Sequence, residues 1–169
     1  MKAVVFSLLF GVLLHAKAVR AQSPDLHEKF VEKQALLYAD SLVKAFCSHN
    51  ISKYIDLSYP GAVLFYGGKS GFERFLENAM SSGQYVESLP HTQLHQLLKE
   101  GEKEWQCVVE KISYEAVDGR KATVRNFMVG RSYDDGKTWT FFEPALTSYK
   151  VHYVMPDAYV NIPARKVEY

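Results

Sequence analysis

The chain has 169 residues and is 47% hydrophobic, 23% charged and 14% aromatic. That length carries a domain with a buried core. The aromatic load excludes a disordered tail, two cysteines exclude a disulfide scaffold, and the lack of a glycine period excludes a fibrous protein.

Residues 1–21 read as a cleaved secretory signal. Met1-Lys2 gives a positive start, residues 3–14 are nearly all apolar, and Ala16-Lys17-Ala18 and Val19-Arg20-Ala21 offer small-residue cleavage sites. Cleavage is expected after Ala21, leaving 22–169 as a single domain, secreted or periplasmic. The apolar run is about a dozen residues, too short to span a bilayer, so no stable membrane anchor is expected after cleavage. Removing Lys2, Lys17 and Arg20 takes the 20 basic residues to 17 against 19 acidic ones, a net of −2. With no basic run, nucleic acid is not an expected partner. In an oxidising compartment Cys47 and Cys107 either pair or serve as two small buried hydrophobes. Asn50-Ile51-Ser52 is a glycosylation sequon.

Helices come first. Ser23-Pro24-Asp25 predicts a helix start, with a capping hydroxyl, a first-turn proline and an acid at the positive dipole end. Leu26, Phe30, Leu37, Leu42, Ala45 and Phe46 follow at helical spacing to about residue 48. A short helical turn is expected over 52–57, broken by Tyr59-Pro60-Gly61. Residues 62–66 read as a short strand. Ser70 with Glu73 forms a capping box, and Phe72, Phe75, Leu76, Ala79 and Met80 give the next helix its apolar stripe, ended by Ser81-Ser82-Gly83.

Hairpins follow. Residues 84–98 are ambiguous, with the extended reading favoured. Residues 104–116 read as a strand, Asp118-Gly119 as a hairpin turn, and 122–133 as the return strand. Asp135-Gly136 is a second hairpin signal before Thr138-Trp139-Thr140-Phe141-Phe142. The tail from Pro144 reads as irregular. Helices before strands predict an α+β fold, N-terminal helices packed on a curved antiparallel sheet. Both faces of the return strand are apolar, Val124 and Met128 against Phe127 and Val129, so the sheet needs cover on two sides. A partner subunit on the second face predicts a homodimer.

This order resembles the nuclear transport factor two-like cone fold (also called cystatin-like), shared by ketosteroid isomerases and polyketide cyclases. Gly67-Gly68-Lys69 is similar to the glycine turn opening that fold's third helix. Tyr59-Pro60, Gln106-Cys107-Val108-Val109, Asp135-Gly136-Lys137-Thr138-Trp139-Thr140-Phe141 and Ile162-Pro163 resemble a family of uncharacterised secreted bacterial proteins, over roughly residues 25–165. The resemblance implies a fold and no chemistry.

Ser132-Tyr133-Asp134-Asp135-Gly136-Lys137-Thr138-Trp139 matches the S-x-D-x-G-x-T-W box of sialidase propellers. It occurs once in a chain too short for a propeller, so it reads as a structural hairpin. Gly68-Lys69-Ser70 matches the end of a phosphate-binding loop, but Val63 stands where that loop needs glycine. His91 and His95 share a face on either a helix or a strand, yet His27-Glu28 is followed by Val31 rather than a metal-binding histidine. No metal and no cofactor is expected, and no serine or cysteine nucleophile signature is present.

Ketosteroid isomerases place a tyrosine on the first helix and an aspartate near the second. Asp56 as base and Tyr38 as oxyanion donor are the catalytic candidates, against a plain reading of Tyr38 as core and Asp56 as a solvated turn residue. Tyr38, Tyr54, Phe65, Trp105 and Phe127 are the ligand-binding candidates, aromatics able to line a pocket or fill a core. The leading expectation is non-catalytic binding of a small apolar ligand or peptide. The alternatives are a cofactor-free isomerase, dehydratase or cyclase, and an interaction domain docking through its outer sheet face. A cavity lined only by apolar groups favours the binder. An ionisable pair within hydrogen-bond reach favours the enzyme.

Overall fold

The computed structural model describes residues 25–81, 89–144 and 149–169. The expected signal segment (residues 1–21), Ser23-Pro24 and Ser82-Gly83 lie outside the described residues. The described chain is α+β: N-terminal helices and an antiparallel sheet that curls into a half-barrel.

Helix α1 spans Leu26–Cys47 and starts on Asp25, whose carboxylate accepts from the His27 backbone N–H. Its buried stripe is Val31, Ala35, Ala39, Leu42 and Val43. The expected anchors Leu26, Phe30 and Leu37 are exposed instead. Small alanines let the helix axis lie close to the sheet, which larger side chains on that face would prevent. Asp40 then accepts from the Thr92 hydroxyl at 2.5 Å, tying the helix to the first strand.

Helix α2 (Ile51–Asp56) is capped by the Asn50 side chain, which accepts from the Lys53 N–H at 3.0 Å. Residues expected as a strand form helix α3 (Pro60–Phe65). Pro60 sits in its first turn, where a missing N–H costs nothing, and the Tyr59 carbonyl takes the N–H groups of Ala62 and Val63. Gly67 and Gly68, at φ +90° and +82°, turn the chain into α4 (Lys69–Ser81). This helix begins at Lys69, before the Ser70 of the expected capping box.

The sheet runs β1 (His91–Glu100), β2 (Glu104–Val117), β3 (Arg120–Ser132) and β4 (Thr140–Phe142) in spatial order. The ambiguous stretch is therefore extended from His91 onward. His95 is the extra residue of a bulge between Leu94 and Gln96. Asp118 and Gly119 both take positive φ, 50° and 73°, as their hairpin requires.

The tail is more ordered than expected. It forms α5 (Tyr149–Val154) and β5 (Lys166–Glu168), which pairs with β3 opposite 123–125. Two apolar clusters result. The inner one joins α1, α2 and α4 to Trp105, Cys107, Val109, Met128 and Phe141. The outer one joins Val108, Phe127, Val129 and Phe142 to Val151, Val154, Met155 and Val160 of the tail. Cover for the second sheet face thus comes from this same chain, which removes the packing reason for expecting a partner there. Cys47 and Cys107 are free thiols, one exposed at the end of α1 and one buried in the sheet. No helix among the described residues is long and apolar enough to cross a membrane.

Candidate functional site

Between the helices and the inner face of the sheet lies a cavity of about 930 Å³. Alternation along β2 decides which side chains reach it. Trp105, Cys107 and Val109 point to the inner core, and the same parity then carries Lys111, Ser113 and Glu115 into the cavity. Asn126, paired opposite Lys111 on β3, stands beside them. The helical wall is apolar: Leu42 and Phe46 from α1, and Phe72, Phe75, Leu76 and Met80 from α4. One wall is hydrocarbon and aromatic, and the other is a polar strip.

The strip holds an ion pair. Lys111 Nζ lies 2.6 and 2.8 Å from the two Glu143 carboxylate oxygens. Farther along β2, the Ser113 hydroxyl donates to Glu115, which is buried. Tyr54 and Tyr66 bring phenols to the same space. Burial, and next the Glu143 charge, pushes the pKa of both upward. Tyr66 stacks on Phe75 at 4.2 Å and on Phe72 at 5.2 Å between ring centroids. Cys47 lies at the rim, where desolvation pushes its thiol up against the lowering pull of Lys111. It is not an activated nucleophile.

The sequence candidates scatter. Tyr54 lines the cavity. Tyr38 packs, half-buried, on the inner core and not on the cavity. Phe65 is exposed on α3, edge-on to Tyr66. Trp105 is buried near the start of β2, its indole bonded to Asp135. Phe127 faces the outer cluster, on the opposite parity from Met128. Asp56 is exposed at the end of α2, outside the cavity lining, so it and Tyr38 do not come together there. His91 and His95 are both exposed on β1, and no metal-ligand cluster forms among the described residues. Lys111, Ser113, Glu115, Asn126 and Glu143 were not singled out from sequence. Lys111, Ser113 and Glu115 carry one signal, the i, i+2, i+4 spacing on β2 where an apolar face turns polar; Asn126 and Glu143 carry none.

The eight-residue box builds a hairpin. Asp134 accepts from the N–H groups of Lys137 and Thr138, Gly136 N–H donates to Ser132, and Trp139 donates to the Gly136 carbonyl. It lies apart from the cavity lining.

Comparison with known families, curated proteins and solved structures finds no match for this chain.

Proposed function

We propose that this protein binds a small amphipathic molecule in the cavity without transforming it. The observation that carries this is the division of the cavity into an apolar helical wall and a polar strip on β2 and β3. Its volume of about 930 Å³ suits a drug-sized ligand. The Lys111 ammonium engages both Glu143 oxygens, which leaves neither group idle as a free acid or base. The same reading takes the chain as an exported member of the cone-fold superfamily, supported by the order of helices and curled sheet.

The polar strip departs from the purely apolar lining expected of a binder, and the ionisable pair expected of an enzyme is present, so a second reading stands. The Lys111–Glu143 pair stands within hydrogen-bond reach inside the cavity, with the Tyr54 and Tyr66 phenols nearby, as a small acid–base enzyme needs.

Native mass spectrometry of the protein from its own host tests both. A small molecule released intact on denaturation, and unchanged on incubation with fresh protein, supports binding. Conversion of that molecule by wild type but not by Glu143→Gln replaces binding with catalysis. A clean apo protein that takes up no apolar probe overturns both.

A further inference from the structure

Among the described residues, the charges around the cavity do not balance. Among the described lining residues stand one lysine and two glutamates, besides the single histidine His49. Lys111 is committed to Glu143. Glu115 lies four residues along the same strand from Lys111, about 13 Å at strand spacing, and no ion pair joins the two. Glu115 is 8% exposed, and its carboxylate takes a hydrogen bond from Ser113, a neutral donor. A neutral hydroxyl does not offset a carboxylate charge.

The helical wall offers a seat for an apolar body. Tyr66, Phe72 and Phe75 form a stacked aromatic group that lines the cavity.

We infer that the cavity takes an organic cation, an amine on an apolar body, with its ammonium directed to Glu115 and its body on the α4 aromatics. This rests on the binding reading above and names the class of ligand. A fatty acid or other carboxylate is the class it excludes, since that head would meet the unbalanced glutamate.

The test uses three probes that share one body: 4-phenylbutylamine, 4-phenylbutanol and 4-phenylbutanoate. Each is titrated calorimetrically into the purified protein at about pH 8, where histidine is neutral and the amine is charged. The amine is expected to bind at least about tenfold tighter than the carboxylate, with the alcohol between. Glu115→Gln is expected to bring the amine down to the alcohol. If that variant fails to fold, the wild-type ranking decides alone. Equal binding of all three, or preference for the carboxylate, overturns the cation inference and leaves the binding reading standing. Binding of none overturns both.

Discussion

The Trp105 indole donates to the Asp135 carboxylate at 3.2 Å, so a β2 side chain holds the tip of the β3–β4 turn. His27, in the first turn of α1, reaches the same oxygen at 3.0 Å. Asp135 itself sits at φ +63°. One carboxylate therefore joins the first helix, the second strand and a tight turn that no backbone ladder would hold together.

That linkage predicts a pH dependence. Hydrogen bonds from Trp105 and then His27 hold the Asp135 carboxyl below its ordinary range, and the Arg131 bond does the same for Asp157. The unfolded chain binds these protons more readily than the folded one. Their stabilisation is complete above about pH 4, the ordinary aspartate value, and is lost as pH falls through the lower folded values. Urea unfolding measured from about pH 6 down to about pH 3 is expected to show the loss at the acid end. Asp135→Asn, which tolerates the same backbone, is expected to flatten part of that slope. An unchanged slope contradicts the role given to Asp135.

A Cβ at Gly136 would lie 2.5 Å from Val31 on α1, at a backbone φ of +80°. Gly136→Ala thus combines strain with overpacking. It is expected to cost about 2 kcal/mol or more. Chemical denaturation checks this, and a loss well under 1 kcal/mol means that helix and turn separate easily.

How much of this was legible in the sequence depends on what each residue depends on. Asp118-Gly119 and Asp135-Gly136 announce their hairpins because positive φ is a local demand. Residues 62–66 misled because strand-like side chains say less than a proline placed to open a helical turn. Leu37 and Phe30 were expected inside by size, whereas the sheet accepts the alanine stripe beside them. The cavity was the least legible part. Phe127 and Met128 are adjacent and equally apolar, yet they serve opposite faces. Only the curl of the sheet decides which parity of β2 is enclosed, and no window of sequence encodes that curl.

Arg131 is 4% exposed and lies between Asp157 and Glu104 on the outer face. Gln106 adds bonds to the Asp157 carbonyl and the Tyr159 N–H. Arg131→Ala is expected to cost about 2 kcal/mol, less than a fully buried pair because both carboxylates can rehydrate. Limited proteolysis should then cut the tail after α5 before the sheet. Cleavage elsewhere first, at wild-type stability, contradicts this.

The two thiols should differ sharply. Cys47 is exposed and Cys107 is buried, with burial pushing its thiol pKa up. A thiol reagent is expected to modify one cysteine in the native protein and both after unfolding. Because Cys47 lines the cavity rim, a bound ligand should slow its reaction. Two fast-reacting thiols in the native state contradict the packing of Cys107.

The free edge of β3 is shared by two short strands, β4 opposite 129–131 and β5 opposite 123–125. The β4 ladder closes over one tight turn. The β5 ladder joins Val124 to Val167, across α5 and everything after it. Closure entropy and the lag of non-local contacts put that ladder last in folding. During synthesis the meander is therefore complete while residues 123–125 still present bare backbone. That interval is when the nascent protein is most open to adding a strand from a second chain, and it closes only when Lys166–Glu168 have emerged.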